Sequence, residues 1–253
     1  MIVDARVYLG DSLYGRSHTA DALFAQIERL AIDLAVAVPA KPHDYHLGPA
    51  NDAVAAAARR TPQRLRWLCR VDPWQGAAAV AEARRGMEEL GAAGLYLDPW
   101  EENFQVNDSI VYPLIEEARR CGKPVLLNAG HVRVSHPTQV RDLASRFPDV
   151  QFVASNGGQI NISGILQAEA RRMLEACPNV CIETAGTYRQ DYLEEIATEV
   201  GVDRVLFASG SPHYDQEFEL ARVALAKLGD DLKARLWSGN ALAVYAPDHR
   251  PSW

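Results

Sequence analysis

The side chains best equipped for chemistry in this chain stand at or just beyond the ends of short apolar runs. Arg6 and Tyr8 are two residues apart, and alternate residues of a strand share a face. Arg70 with Asp72, Asp98 with Trp100, Asn128 with His131, Asn156 with Gln159, Glu183, and His213 with Asp215 occupy corresponding places. Arg6 and Arg70 are suited to clamp a carboxylate through paired hydrogen bonds, and Asn128 and Asn156 to hold a carbonyl or hydroxyl. His131 and His213 are the acid/base candidates, because a neutral imidazole near pH 7 moves protons without help from a metal. The alternative for each is a loop histidine bonded for structure. Tyr8 can donate a proton or steady an oxyanion, but with an ordinary pKa of about 10 it needs a neighbouring cation such as Arg6 to act as a base. Asp98 either orients a histidine, acts as a base, or shapes the turn before Pro99. Trp100, like Trp74, follows a strand and a proline and offers a flat apolar wall, or else packs beneath the loops.

No nucleophile stands out. Ser155, Ser209 and Ser211 lack the Gly-x-Ser-x-Gly elbow that exposes a catalytic serine. His18, His43, His46, His136 and His249 are weaker candidates, with His43 and His46 placed in a loop where a lid is conceivable.

The elements that must position these groups alternate. Eight apolar runs at 2–8, 34–38, 65–71, 93–97, 124–128, 150–155, 180–183 and 204–208 are separated by stretches of helical period at 20–30, 51–60, 77–90, 108–121, 137–147, 164–176, 189–200 and 216–228. Near-continuous hydrophobicity suits strands buried on both faces of a parallel sheet, and alternation with helices marks βα units. The pattern predicts a single (β/α)8 TIM barrel over residues 1–253. An open doubly wound sheet is the alternative, since counting strands does not show closure.

Composition narrows the partners. A formal charge of -7, spread over mixed-sign stretches without a Lys/Arg cluster, argues against nucleic acid. Neither a leader pattern nor a run of membrane-spanning length is present, so the expectation is a cytoplasmic protein that binds a small-molecule substrate or ligand, as a monomer or a homo-oligomer. The four cysteines, at 69, 121, 177 and 181, are expected to be reduced.

Several segments, in order, carry a resemblance. They are Ile2-Val3-Asp4, Asn51-Asp52, Pro62-Gln63-Arg64, Val71-Asp72-Pro73, the 91–97 run before Asp98-Pro99-Trp100, 122–127, Phe147-Pro148-Asp149-Val150, 204–209, and Asn240-Ala241-Leu242. Together they are similar to the metal-dependent amidohydrolases and decarboxylases related to aminocarboxymuconate-semialdehyde decarboxylase. The resemblance implies a barrel with chemistry at the C-terminal ends of its strands. It also implies metal ligands at positions that here hold Arg6 and Tyr8, Asn128, Ser155 or Asn156, and Gly210. That substitution predicts no metal and no other cofactor, because a permanent guanidinium charge repels a divalent ion. Three functions remain open. One is metal-independent hydrolysis, or a related lyase or isomerase step, on a small carboxylated or carbonyl-containing metabolite. Another is a catalytically silent binding subunit. The third is a metal site rebuilt from His131, His213, Asp98 and Glu183. In the first, Arg6 also competes with a bland role, pairing with Asp98 or Glu183.

Overall fold

In the computed structural model, which describes residues 1–160 and 165–247, eight parallel strands follow one another in sequence order around a single sheet. They are β1 Val3–Leu9, β2 Leu34–Pro39, β3 Leu65–Arg70, β4 Gly94–Leu97, β5 Val125–Leu127, β6 Phe152–Ala154, β7 Val180–Glu183 and β8 Val205–Leu206. The sheet returns on itself: Ala5 N donates to Phe207 O at 2.9 Å, Gly210 N to Arg6 O at 2.9 Å and Tyr8 N to Ser211 O at 2.7 Å. These bonds join the segment after β8 to β1, which an open doubly wound sheet cannot do. The fold is a (β/α)8 barrel.

Helices fill the crossovers: α1 Ala20–Arg29, α2 Leu47–Arg60, α3 Ala77–Arg84, α4 Tyr112–Arg120, α5 Pro137–Arg146, α6 Ile165–Ala176, α7 Gln190–Glu195 and α8 Gln216–Ala224. Each presents an apolar stripe to the sheet, as Leu23 and Ile27 do one turn apart on α1, where Thr19 caps the first turn through Ala22 N. Several of the polar residues singled out above serve as helix caps. His136 and Gln139 form a reciprocal cap on α5, and the Asp215 side chain accepts from Phe218 N at the start of α8. Two helices end in wide turns earlier than the helical period suggests, α3 at Arg84 and α7 at Glu195. Two further helices beyond the eighth unit, α9 Asp230–Ala234 and α10 Asn240–Tyr245, were not anticipated from the periodicity. The expected helix start at Gly164 and the histidine at 249 lie outside the described residues.

The core divides at the sheet. Val3, Ala5, Tyr8, Val36, Leu68, Tyr96, Leu126 and Val153 belong to a cluster inside the barrel, joined by Ala241, Leu242 and Tyr245 of α10. Alternate residues such as Val7, Leu9, Ala35 and Ala37 belong to a larger cluster with the helices.

One irregularity decides what faces the interior at the first strand. Asp4 pairs with Ala35 and Val7 with Ala37, so β1 spends three steps against two on β2. A bulge of one residue reverses the in/out parity beyond it. Val3 and Ala5 therefore face inward before it, and Arg6 and Tyr8 after it, while Asp4 is turned away toward α8, where Gln216 Nε2 bonds it at 2.7 Å.

All four cysteines are free thiols. Among the described residues, no helix is long and apolar enough to cross a membrane.

Candidate active site at the barrel mouth

Arg6 is the hub of the mouth. Its guanidinium is 2% exposed, lies 2.8 Å from a Glu183 carboxylate oxygen, and donates to Tyr8 Oη at 2.8 Å and Asn156 Oδ1 at 2.9 Å. Glu183 is held in turn by the backbone N–H groups of Asn156 at 2.9 Å and Ala185 at 2.7 Å. Gly210 makes room for this arrangement. It sits at φ +63, and a Cβ placed there would meet Arg6 Nη2 at 3.2 Å and Tyr214 Cδ2 at 3.0 Å. Arg6 thus takes the bland partner weighed for it in the sequence, and Glu183 rather than Asp98 is that partner.

From Arg6 a chain of hydrogen bonds runs across the barrel. The Asp98 carboxylate can only accept, so Tyr96 Oη must donate to it at 2.8 Å, and Tyr8 must donate to Tyr96 at 2.9 Å. Asn128 Nδ2 reaches the same Asp98 oxygen at 2.9 Å, while its Oδ1 accepts from Ser155 Oγ at 3.0 Å and from Asn156 Nδ2 at 3.3 Å. One N–H of the Asn128 amide has no partner among the described residues, and this half-buried side chain lines the cavity. Asn156, by contrast, engages its amide on both ends, its Nδ2 also reaching Ser155 Oγ at 2.8 Å.

The cavity itself, about 270 Å³, is lined by Arg6, Tyr8, Arg16, Trp100, Asn128 and His213, with Tyr14, Glu101, Asn156, Ile160 and Tyr214 completing it. His213 stacks on the Tyr8 ring at 4.3 Å and 7° between planes. Burial, followed by the positive charges of Arg6 and Arg16, drives its pKa down to about 4, so the imidazole is neutral near pH 7. Tyr8 moves the other way. Arg6 would lower it, as the sequence reading anticipated, but burial outweighs the cation and lifts the phenol to about 12. With its proton committed to Tyr96 and its pKa raised, Tyr8 is not placed to act as a base.

Three further expected residues stand apart from this cavity. Arg70 is fully buried behind it, donating to Glu102 at 2.7 Å and to Pro39 O at 3.0 Å and pairing with Glu101; its Nε has no partner among the described residues, but it is sealed from the cavity and not open to a carboxylate. Asp98 is likewise fully buried, and its carboxylate also accepts from the Trp100 and Glu101 backbone N–H groups at 3.2 and 3.0 Å. His131 lies beyond Trp100, its ring 4.1 Å from the indole, and lines a neighbouring cavity; burial and then Arg133 lower its pKa. The set His131, His213, Asp98 and Glu183 does not converge, and among the described residues no group of three or more His, Cys, Asp or Glu side chains is placed to hold a metal ion.

Residues 5–246 match the family model described as amidohydrolase. The chain belongs to the amidohydrolase family. Among solved structures, this amidohydrolase is similar to 2,6-dihydroxybenzoate decarboxylase from Rhizobium, at 14% identity and a TM-score of 0.81, covering 98% of this chain and 99% of that one. A dihydroxybenzoic acid decarboxylase from Polaromonas, solved with bound manganese, aligns at 14% identity and a TM-score of 0.78, covering 98% of each chain. A 4-oxalomesaconate hydratase from Rhodopseudomonas palustris aligns at 18% identity and 0.70, covering 97% and 95%. By sequence, the chain matches no curated protein.

Several residues in and behind the cavity of this amidohydrolase were not foreseen, among them Tyr14, Arg16, Glu101, Ile160 and Tyr214 of its lining and Tyr96 behind it. Arg16 lies in the exposed loop after β1, reaches the His213 carbonyl with its guanidinium, and has no carboxylate partner among the described residues. Only its charge marked it, in a loop rich in other polar residues. Tyr96 is hidden within the apolar run of β4 and carried no signal, although its hydroxyl connects Tyr8 to Asp98.

Proposed function

We propose that this amidohydrolase-family protein is an enzyme acting on a small carboxylated metabolite, using the acid/base chemistry of its own mouth side chains and no bound metal. The observation that carries the reading is the cavity of substrate size at His213, where burial, followed by the positive charges of Arg6 and of Arg16, which has no carboxylate partner among the described residues, holds the imidazole uncharged. A carboxylate beside Arg16 and the outer edge of Arg6 offsets that charge. The spare Asn128 N–H is available to an adjacent carbonyl oxygen. His213 offers a lone pair and one N–H beside both. The decarboxylase and hydratase names of the similar structures favour a lyase over a hydrolase, because both reactions make or break a bond near a carboxylate. In a decarboxylation, the bond to the carboxylate carbon breaks and carbon dioxide leaves, the electron pair passes to the conjugated oxygen steadied by Asn128, and the carbon then takes a proton from water at the mouth. In a hydration, the water oxygen bonds to one carbon of the double bond as its electron pair passes to the conjugated oxygen, and the proton that His213 receives from the water is returned to the other carbon.

The residues at the mouth do not fit a divalent metal. The space in front of Gly210 is filled by a guanidinium, which cannot lose its charge. Glu183 and Asp98 have their oxygens engaged by Arg6, Tyr96, Asn128 and backbone N–H groups. Tyr8 is a phenol with a raised pKa, and Asn128 and Asn156 are neutral amides. Manganese in a structure of similar fold therefore does not translate into a step here.

A second reading, a binding protein without turnover, is favoured by one fact: the hydrogen-bond capacity of Tyr8, Asp98 and Asn156 is spent internally. One experiment separates the two. Small keto, hydroxy and unsaturated carboxylic acids are incubated with the protein and followed by NMR. Turnover is expected for at least one, with His213→Gln lowering kcat by roughly 10²-fold or more and Arg16→Ala mainly raising KM. Binding without conversion supports the silent barrel. Turnover indifferent to His213→Gln overturns the assigned role.

A further inference from the structure

On the far side of Trp100 from the mouth lies a second cavity, about 690 Å³, bounded by Trp74, Trp100, Phe104, His131, Arg133 and Val134. Trp100 belongs to both cavities, so the two are adjacent across one indole. Nothing in the proposed reaction uses this space.

Its walls are two tryptophans of unusual exposure, Trp74 at 61% and Trp100 at 57%. Neither is a loosely hanging side chain. Trp74 Nε1 donates to the backbone oxygens of Glu102 at 3.1 Å and Asn103 at 3.2 Å. Trp100 is backed by the His131 ring at 4.1 Å with 32° between planes, and the His131 Nδ1 atom accepts from Arg133 N at 3.3 Å. Burial, followed by the Arg133 cation, lowers the His131 pKa. The guanidinium of Arg133 has no carboxylate partner within ion-pair distance among the described residues. Asp108, the acid in this cavity, caps Ile110 N at 3.1 Å. Apolar plates fixed in place by polar anchors are the arrangement that binds a flat ring with little loss of side-chain freedom.

We propose that this cavity is an accessory subsite for a flat aromatic group, and that the substrate is bipartite: a small carboxylated head in the mouth, joined across Trp100 to a ring held by Trp74, Trp100 and His131. The inference rests on the carboxylate reading of the mouth and names the substrate class it leaves open. His131 is then a wall of the subsite and not an acid/base group.

Calorimetric titrations with ω-phenyl carboxylates, from 3-phenylpropanoate to 6-phenylhexanoate, test it against unbranched acids of the same chain length without the ring, and against propanoate. At one linker length the ring is expected to tighten binding by about tenfold or more. Trp74→Ala abolishes that gain and leaves propanoate binding within about twofold of wild type; Trp74→Phe retains most of the gain. A ring that adds nothing at any length, or a gain that survives Trp74→Ala, overturns the subsite while the mouth reading stands. Acids that do not bind, or whose binding ignores Arg16→Ala, overturn the mouth reading and this inference with it.

Discussion

Tyr8 lies against a guanidinium, the neighbour that ordinarily lowers a phenol's pKa, and yet burial lifts it to about 12. The same cation, joined by Arg16, acts on His213 in concert with burial, and there the pKa falls to about 4. A bound anion cancels part of that field, so it must raise the His213 pKa, and by linkage it must bind more tightly to the protonated form. Methanesulfonate, which stays ionised throughout, is therefore expected to bind more tightly as pH falls from about 6 through the free-protein value, with the His213 ring resonances shifting to report a higher pKa. Unchanged affinity over that range would remove the field from the account. The Arg6–Glu183 pair is a second residue-scale test. Removing either partner alone leaves a buried charge, at a cost of roughly 3–5 kcal/mol, so Arg6→Met and Glu183→Gln should each depress thermal stability strongly. The double variant should lose less than the sum, which a double-mutant cycle measures. Arg6, Asn128 and His213 were legible in the sequence because they stand at strand ends, where a barrel puts its chemistry. Arg70, Asp98 and His131 share that sequence position, but Glu101 and Glu102 tie up Arg70, Asn128 adds to the local bonds on Asp98, and Trp100 covers His131, each from a neighbouring βα unit, and pairing of that kind leaves no trace in local spacing.

At the scale of elements, the bulge in β1 does most to define the site. Strict alternation would have grouped Asp4 with Arg6 and Tyr8, whereas the extra residue sends Asp4 outward. There it ties β1 to the loop that carries His213, accepting from Ser209 N at 2.9 Å, Ser209 Oγ and Gln216 Nε2. With no cation beside it, burial raises its pKa to about 6. The sign follows. A carboxyl raised in the folded state favours folding below its unfolded value near 3.8 and withdraws that contribution as pH climbs through about 6. Asp4→Asn keeps an acceptor and should flatten this part of the stability profile, as followed by urea unfolding between pH 4 and 7; an unaltered slope would contradict it. Gly210→Ala meets a left-handed backbone, the Tyr214 ring and the Arg6 guanidinium together, and should cost about 1–3 kcal/mol. All eight strands and their crossover helices were readable, because strands buried on both faces are continuous apolar runs and the helices carry a stripe, although α3 and α7 give way to wide turns at Arg84 and Glu195, short of the expected ends at 90 and 200. The bulge was not readable, since it depends on pairing with β2. Neither were α9 and α10, which are short and follow the last repeat.

For the whole molecule, closure of the sheet by bonds from the segment after β8 to β1 brings Arg6, Asn128, Asn156 and His213 around one opening, with Glu183 buried behind Arg6. Family membership and fold similarity establish that scaffold, and the charge arrangement within it is this chain's own. The central claim is that a guanidinium-centred mouth handles a carboxylate without a metal. It is tested most directly by measuring carboxylate turnover, by NMR, with protein whose metal content has been determined, before and after dialysis against chelator and after adding manganese. Turnover is expected to be independent of both treatments, by protein holding far less than one metal per chain. Stoichiometric metal in the purified protein, with turnover lost to the chelator and restored by manganese, would contradict it.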